Sequence, residues 1–196
     1  RITASLDWYL RDTKDLLSYV TVPIGSATTN EMNKNIGTLR NLGVEFAINA
    51  RPIVTKDFTW TVDYNVAWNK NEITKLNSTD DPNYFINTGG ISGGTGNTVQ
   101  AHKVGYPAYS FYLYEQVYDA NGKPIEGEYV DQNGDGQITG EDRVLRHQKD
   151  PKVTMSLSNT FSYKNWDFGI VLRSNIGNYV YNNVLSDRTV LGNTWK

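Results

Sequence analysis

Residues 57–69 read DFTWTVDYNVAWN, and this stretch decides the secondary structure expected of the chain. Large apolar side chains occupy every second position from Phe58 to Trp68, while the positions between them are polar or small. Successive side chains of a β-strand point to opposite faces, so this spacing collects the large apolar residues on one face. A helix would spread the same residues around its circumference. The stretch is therefore predicted to be a strand with one apolar and one polar face.

The same alternation recurs elsewhere in the chain. It is clear in four segments, Ile2–Leu10, Val44–Ala50, Val153–Ser162 and Trp166–Arg173, although Asn159 interrupts the apolar side of the third. It is weaker in the aromatic segment Tyr109–Tyr118. No segment shows comparable helical periodicity, so the fold class is predicted to be all-β with antiparallel strands.

The composition excludes several classes of protein. The chain has 196 residues, no cysteine and a net charge of −2. The lack of cysteine excludes a disulfide scaffold and a Cys-ligated metal site, and the near-neutral charge gives no support for nucleic-acid binding. No apolar run is long enough for a membrane-spanning helix. A transmembrane β-barrel remains compatible, because its alternating strands are never hydrophobic along their whole length.

The links between the predicted strands are of two lengths. Arg51–Lys56 and Tyr163–Asn165 are short, whereas Arg11–Asn41, Glu72–Pro107 and Asp119–Pro151 are long. Short turns that alternate with long loops are typical of a transmembrane barrel, which has short periplasmic turns and longer extracellular loops. Strands of about 9–11 residues would also suit a tilted crossing of the bilayer.

A soluble β-sandwich is the alternative, because its strands alternate too. Aromatic side chains near the strand ends favour the barrel, since they suit membrane interfaces, and the Thr, Ser and Asn residues of the opposite faces suit a wet lumen. Six strands are too few to close a transmembrane barrel, which needs about eight. The chain opens on a strand pattern and ends in a predicted loop at Gly192–Lys196. We therefore expect it to be a piece of a larger barrel.

The segment Asp131–Asp142 has the spacing of a calcium-binding loop. Oxygen ligands stand at positions 1, 3, 5, 7 and 12 of such a loop; the residues at these positions are Asp131, Asn133, Asp135, Gln137 (through its backbone carbonyl) and Asp142. Gly136 occupies position 6, where the chain must turn sharply, and Ile138 at position 8 is expected to pin the loop to the core. Position 12 holds Asp instead of the usual Glu, so coordination there would be monodentate or completed by water.

The alternative is a turn cluster that is merely acidic, since no helices flank the loop. Residues 119–142 contain seven carboxylates against one lysine, and a cation would relieve this crowding of like charge. We therefore predict a structural calcium ion. No residue near the loop supplies a nucleophile or a general base, so the site is predicted to be structural. Because no arrangement of residues elsewhere singles out a catalytic triad either, the chain is predicted not to be an enzyme.

An aromatic stretch, Tyr106–Tyr118, is the remaining candidate for function. Its rings suit either a platform on which sugars or peptides stack, or an interfacial girdle and loop packing. The interfacial girdle and loop packing are the favoured role, and no substrate-binding residue is assigned.

The order of these features resembles the C-terminal part of SusC/RagA-type TonB-linked outer-membrane proteins. The segments that carry the resemblance run along nearly the whole chain: Trp8-Tyr9, Thr13–Leu17, Asn35–Gly37, Gly43–Glu45, Tyr64-Asn65, Asn69–Ile73, Gly105–Pro107, Asp131–Arg143, Pro151-Lys152, Ser158–Thr160 and Tyr163–Asp167.

The resemblance implies a plugged barrel of about 22 strands in the outer membrane of a Gram-negative bacterium of the Bacteroidetes type. A SusD-like surface lipoprotein would cap the barrel, and the pair would import glycans or peptides. The TonB complex would act on an N-terminal region that this sequence lacks. Residues 1–196 would then be the C-terminal barrel portion, with long extracellular loops at 77–107 and 119–151.

Two other functions are the alternatives to this interpretation. One is a soluble, secreted β-sandwich that binds calcium and carbohydrate. The other is an outer-membrane enzyme, which no group of residues supports.

Overall fold

The computed structural model describes residues 1–21, 31–76, 81, 83–91 and 98–188, and in this part of the chain the strands form three antiparallel sheets. The five-stranded sheet contains, in spatial order, β1 (Ile2–Thr21), β2 (Glu31–Val54), β3 (Phe58–Lys75), β10 (Val153–Tyr163) and β11 (Trp166–Ile176). The four-stranded sheet contains β4 (Phe85–Gly90), β5 (Thr98–Lys103), β6 (Ser110–Tyr114) and β9 (Arg143–Gln148). The third sheet is the hairpin of β7 (Gln116–Tyr118) and β8 (Pro124–Tyr129).

Helical structure is limited to two short pieces of the described chain. A 3₁₀ turn covers Gly140–Asp142, and helix α1 covers Asn183–Arg188. Neither is long and apolar enough to cross a membrane, and nor is any other helix in the described ranges. The prediction of an all-β fold is confirmed.

The register of the five-stranded sheet joins the alternating apolar residues into continuous rows. One row near the middle contains Ala4, Ile48, Tyr64, Leu157 and Leu172, and another contains Trp8, Val44, Trp68, Val153 and Ile176. Residues that are paired across strands point to the same face. One face of the sheet is therefore apolar across all five strands.

No element of the described part of the chain packs as a second layer on this apolar face. Leu6 is 72% exposed and Trp166 is 79% exposed. The buried apolar residues of the described chain are instead Ile73, Leu76, Val99, Ala101 and Phe111, none of which belongs to these rows. A sandwich would bury the rows against a second sheet, so this alternative is not favoured.

Aromatic residues stand at both ends of the apolar face. Trp8 and Trp68 lie in the row at one end, and the rows at the other end contain Phe58, Trp60, Phe161, Tyr163, Trp166 and Phe168. Trp60 and Phe161 stack with ring centroids 5.8 Å apart. Such aromatic bands flank the apolar zone of transmembrane barrels, where amphipathic rings sit at the membrane interface.

The length of the apolar face suits a bilayer. β10 and β11 have 11 residues each. A strand of that length is about 37 Å long, and a tilt of about 45° reduces its span to about 26 Å, close to the ~25 Å of an outer-membrane apolar band. The apolar face ends within four residues of Trp8, where Asp12 and Arg40 form a charged pair on the same side of the sheet. Arg40 donates to the two carboxylate oxygens of Asp12 at 2.8 and 2.9 Å.

The opposite face of the sheet is polar. Asn49 donates to the carboxylate of Asp63 on the neighbouring strand. Tyr9 lies across Gly43, where a Cβ atom would come within 2.4 Å of the ring, and its hydroxyl donates to Asn69 at 3.1 Å. A glycine at position 43 thus lets one tyrosine reach over a strand to the next.

Asn159 is a polar residue on the apolar face, and the structure explains it. Its side-chain oxygen accepts the indole N–H of Trp60 at 3.0 Å. This hydrogen bond pairs the amide oxygen with the indole N–H, so the residue that interrupts the alternation has a polar partner on the apolar face.

Some predictions about the links and segments of the chain differ from the structure or lie outside it. The expected link Arg11–Asn41 is wrong, because β1 and β2 continue as a paired ribbon to Thr21 and Glu31, with a bulge near Asp15 at φ 58°. The segment Tyr109–Tyr118 is divided between β6 and β7, which belong to different sheets. Gly192–Lys196 lies outside the described residues.

The four-stranded sheet is attached to the far end of β3. The N–H of Ile73 donates to the carbonyl of Tyr106, and the N–H of Gly105 donates to the carbonyl of Ile73, both at 2.9 Å. The tight links of the large sheet, at 55–57 and 164–165, lie at its other end. The predicted long loops therefore contain strands: 77–107 holds β4 and β5, and 119–151 holds β8 and β9. Their extracellular position remains a prediction.

Adjacent residues of β11 give a direct test of the apolar face. Leu172 belongs to that face and Val171 to the polar one, at nearly equal exposures of 59% and 58%. In the full-length protein, Leu172→Arg should destabilise the barrel by about 2–4 kcal/mol, the cost of a cation near the bilayer midplane. Val171→Arg is the matched control, because the polar face already carries Arg173. Urea unfolding in lipid vesicles measures both, and equal losses would contradict the assignment of the faces.

Candidate functional site

The predicted calcium loop lies between β8 and β9 and is folded by its own side chains. Asp131 accepts the N–H of Gly134 at 2.7 Å on one carboxylate oxygen and that of Gly136 at 2.8 Å on the other. Asp135 accepts the N–H of Gln137 at 2.7 Å. Gly134 and Gly136 have φ values of 75° and 80°, which residues with a Cβ atom rarely adopt. The two glycines therefore allow the carboxylates to wrap this turn.

The side chain of Asp142 links two distant parts of the loop by hydrogen bonds. Its side chain is fully buried, and its two carboxylate oxygens accept the N–H of Gln132 at 2.9 Å and that of Thr139 at 2.6 Å. These donors, Thr139 foremost, hold the pKa of Asp142 below its ordinary value of 3.8, although burial opposes them. Because the folded-state pKa is the lower one, the stabilisation is complete above the unfolded value and is lost as the pH falls through the folded value.

Three of the predicted metal ligands lie close together in the structure, whereas Asp142 accepts hydrogen bonds from the backbone. Asp131, Asn133 and Asp135 share one turn, in which the amide of Asn133 donates to Asp135 at 3.1 Å. Their hard oxygen atoms fit calcium chemistry. Asp142 instead serves backbone N–H groups, and nowhere in the described ranges do three or more His, Asp or Glu side chains form a metal-binding group. Ile138 is 45% exposed, so the prediction that it pins the loop to the core is wrong.

Side chains of β6 and β9 tie this loop to the four-stranded sheet. Glu115, directly after β6, accepts from Gln132 at 3.1 Å and from Arg146 at 2.9 Å. The carbonyl of Gly140 accepts from Arg143 at 3.3 Å and from the hydroxyl of Tyr112 at 3.4 Å. The position of the 3₁₀ turn therefore sets the position of these two side chains.

A cleft of about 460 Å³ opens beside this turn. Its lining consists of Thr98, Val99, Tyr112, Leu113, Tyr114, Tyr129, Arg143 and Tyr181. The guanidinium of Arg143 lies 4.5 Å from the ring centroid of Tyr112, and the rings of Tyr114 and Tyr129 are 5.3 Å apart. The cleft thus presents four phenol side chains and one cation.

The hairpin β7–β8 holds Tyr129 in place. The amide of Gln116 contacts the carbonyls of Ile125 at 2.6 Å and Glu128 at 3.0 Å. Asp119 accepts the N–H groups of Asn121 and Lys123 at the hairpin turn, and these bonds, that of Lys123 foremost, lower the pKa of Asp119. Hydrogen bonds therefore hold β8 at both of its ends, at Lys123 directly before the strand and at Glu128 beside Tyr129.

Sequence reasoning found only part of this cleft. The aromatic stretch Tyr106–Tyr118 includes Tyr112 and Tyr114, but on the sequence alone its favoured role is packing and not stacking. Tyr129, Arg143 and Tyr181 come from three other segments and follow no common spacing. Their convergence is a property of the tertiary structure.

Asp142→Ala tests the role of the buried carboxylate. The substitution leaves the N–H groups of Gln132 and Thr139 without their acceptor, so amide exchange across 131–142 should accelerate about tenfold or more. Glu141→Ala is the matched control, because Glu141 is the exposed neighbouring carboxylate of the same turn. Hydrogen–deuterium exchange on the full-length protein measures both. Equal exchange in the two variants would contradict the role of Asp142 as the anchor.

The sequence is similar to curated TonB-dependent receptors. It is 51% identical over 189 residues to the TonB-dependent receptor SusC of Bacteroides thetaiotaomicron, a match that covers 96% of this chain and 19% of that protein. It is 31% identical over 205 residues to the TonB-dependent receptor P3 of Formosa agariphila, covering 94% of this chain and 20% of that protein. The chain thus spans about one fifth of the length of these relatives. No protein-family model matches the sequence.

Solved structures show the same fold. The chain superposes on the RagAB peptide transporter with a TM-score of 0.67 at 23% identity, covering 93% of this chain and 20% of that one. The "open-open" state of the RagAB peptide importer gives a TM-score of 0.68 at 21% identity over 91% of this chain and 19% of that one. The strands are thus those of a large transmembrane β-barrel, and the five-stranded sheet is an open part of it. Because the match to SusC runs along nearly the whole of this chain, the resemblance to the SusC/RagA family of TonB-dependent receptors is confirmed.

Proposed function

We propose that this chain forms part of the wall of an outer-membrane transporter that is driven through TonB and imports glycans or peptides. One observation carries the proposal: the apolar face of the five-stranded sheet is continuous, uncovered and bounded by aromatic residues. The 51% identity to SusC supports it. The host would be a Gram-negative bacterium of the Bacteroidetes type, as for the relatives.

The two faces of the sheet suit this role. Apolar residues would face lipid, and the polar face, with Asp63, Asn65 and Arg173, would face the enclosed lumen. Passage of a hydrated solute needs polar groups along the lumen and no covalent chemistry. We therefore assign no catalytic residue, and the curated relatives are receptors as well.

The orientation follows from the loop lengths. Short turns of such barrels face the periplasm and long loops face the outside. The segments 77–107 and 119–151 would accordingly be extracellular, where a SusD-like lipoprotein and the substrate arrive. The TonB complex would act on a region of the receptor other than these barrel strands. The RagAB structures concern a peptide transporter, which supports peptides as one substrate class.

Calcium is the cofactor that we propose for the loop at 131–142. Asp131, Asn133, Asp135 and the carbonyl of Gln137 supply oxygen ligands in the required order, and Asp142 is the predicted fifth. A bound ion would neutralise this acidic turn. In an extracellular loop an affinity of ~10⁻⁴–10⁻³ M would suffice for occupancy.

Gene deletion tests the transport function. A strain that lacks the full-length receptor should lose growth on at least one member of a panel of oligosaccharides and peptides supplied as sole carbon source. Loss of the TonB complex or of the partner lipoprotein should reproduce the defect. A strain whose growth is unchanged on every member of the panel would contradict the proposal, as would recovery of the receptor in the soluble fraction.

Exchange measurements test the calcium site separately. In the full-length protein, calcium at about 5 mM, above the expected dissociation constant, should slow amide exchange across 131–142 relative to EDTA. The double variant Asp131→Asn/Asp135→Asn should lose this effect, whereas Glu126→Gln/Glu128→Gln should retain it. Identical exchange of the wild-type loop in calcium and in EDTA would show that no ion binds there.

A further inference from the structure

A cluster of charged side chains lies on the apolar face of the five-stranded sheet, at the end that carries the four-stranded sheet. The row directly past Trp8 contains Lys70, and the next row contains Asp12, Arg40 and Glu72. Residues paired across strands point to the same face, so these four side chains lie on the same side of the sheet as Trp8. We call the four residues the charged cluster.

The charged cluster is confined to this end of the face. The paired rows between Trp8 and Trp166 hold apolar and aromatic residues and a few neutral polar ones, such as Asn159 and Ser174, and none of them contains a charged residue. The charges therefore mark one level on the apolar face and are not scattered over it.

That level matches the headgroup layer of a bilayer. Lys70 lies two residues past Trp68, a rise of about 7 Å along the strand and of about 5 Å along the membrane normal at a tilt of about 45°. Arg40 lies four residues past Val44, which is about 10 Å along the normal. The interfacial layer outside the hydrocarbon core is about 5–8 Å thick, and long cationic side chains extend along it. Both cations therefore reach the headgroups when the row of Trp68 marks the edge of the core.

Each cation is held by one carboxylate and keeps N–H donors for another partner. Asp12 accepts from Nε and Nη2 of Arg40 at 2.8 and 2.9 Å, so the other edge of the guanidinium, formed by Nη1 and Nη2, stays open. Lys70 donates to Glu72 at 2.6 Å, and its ammonium group has further N–H donors. The side chains of Arg40 and Lys70 are 48% and 58% exposed. Because the open groups of both cations are donors, the ligand that completes their bonding must supply acceptor oxygen atoms.

We propose that Arg40 and Lys70 bind the phosphate group of a lipid in the outer leaflet. The two residues are diagonal neighbours on adjacent strands, because Arg40 pairs with Glu72 and Lys70 pairs with Leu42. Such neighbours lie about 7–8 Å apart, so two long side chains can meet on one phosphate. Phosphate oxygens also match the open guanidinium edge, which donates two parallel N–H bonds.

The apolar face favours a lipid over a free phosphate ion as the source of this group. Below the charged cluster, Leu10 is 51% exposed and Trp8 is 67% exposed, and both lie where the acyl chains of a bound lipid would run. A free ion has no chains to bury there. The proposal rests on the proposed function, because that function sets this face against the membrane with the long loops outside, and it adds a partner for the same barrel wall.

Native mass spectrometry of the full-length receptor in detergent tests the proposal. The probes are lipid A, a phosphate-bearing lipid of Gram-negative outer leaflets, and lipid A from which phosphate has been removed. The wild type should bind the phosphorylated form about tenfold or more tightly, and Arg40→Gln/Lys70→Gln should lose this preference with its charge-assisted hydrogen bonds. Arg11→Gln/Arg173→Gln is the matched control and should keep the preference. It removes two cations from the polar face, and Arg11 lies level with Arg40 because it pairs with Asn41.

The comparison of the two lipids on the wild type does not depend on the folding of any variant, and equal binding would overturn the proposal. An unchanged preference in Arg40→Gln/Lys70→Gln, or an equal loss in the control, would also overturn it. Lys70→Gln alone leaves the pair of Arg40 and Asp12 intact and should reduce the preference about threefold or more.

A competition experiment separates the lipid from a free ion. Inorganic phosphate at the concentration of the lipid should leave phosphorylated lipid A bound, since the acyl chains contribute to its affinity. Displacement at equal concentration would assign the two cations to a free anion and refute the lipid site. The growth assay of the deletion strain is independent of these results, so a refuted lipid site leaves the transport function standing.

Discussion

The structure depends on one constraint: a sheet that carries most of its large apolar side chains on one exposed face needs an apolar surrounding. Rows such as Ala4–Ile48–Tyr64–Leu157–Leu172 cross all five strands, and no described element forms a partner layer on them. In the proposed outer-membrane barrel, lipid would supply that surrounding, and it would also require every backbone N–H and C=O within it to be paired. An open sheet leaves unpaired groups along β1 and β11, so this sheet satisfies the constraint only within a larger closed barrel.

The segment Asn69–Ile73 lies where the five-stranded sheet meets the four-stranded sheet, and its residues make contacts between them and within the five-stranded sheet. Asn69 accepts the hydroxyl of Tyr9, and Lys70 pairs with Glu72 at 2.6 Å. Asn71 donates to Asn41 at 2.8 Å and accepts the N–H of Ala108 at 2.9 Å. Ile73 is buried and bonded to Tyr106. The polar run that supports the family resemblance therefore connects the spanning strands to the four-stranded sheet.

Alternation predicts strands only where the two faces of a sheet meet different surroundings. It identified β3, β10 and β11 because one face is apolar and the other polar. Past Leu10, where Asp12 and Arg40 occupy the apolar side, that contrast ends, so β1 and β2 continue without a signal in the sequence. The spacing of the acidic loop predicted which residue types could bind a cation. It did not predict that Asp142 accepts the N–H groups of Gln132 and Thr139, because these contacts depend on the conformation of the turn. The tyrosine cleft stayed hidden for a similar reason, since tertiary packing brings Tyr129, Arg143 and Tyr181 together.

The most direct measurement of the central claim is a nitroxide scan along β11. The chain has no cysteine of its own, so single cysteines at 166–176 in the full-length receptor, reconstituted in bilayers, can each carry one spin label. Collision with lipid-soluble oxygen and with a water-soluble nickel chelate then reports the surroundings of each position. If the apolar face contacts lipid, accessibility should have a period of two, with even-numbered positions accessible to oxygen and odd-numbered positions to nickel. Equal nickel accessibility along the strand, or the opposite phase, would contradict it.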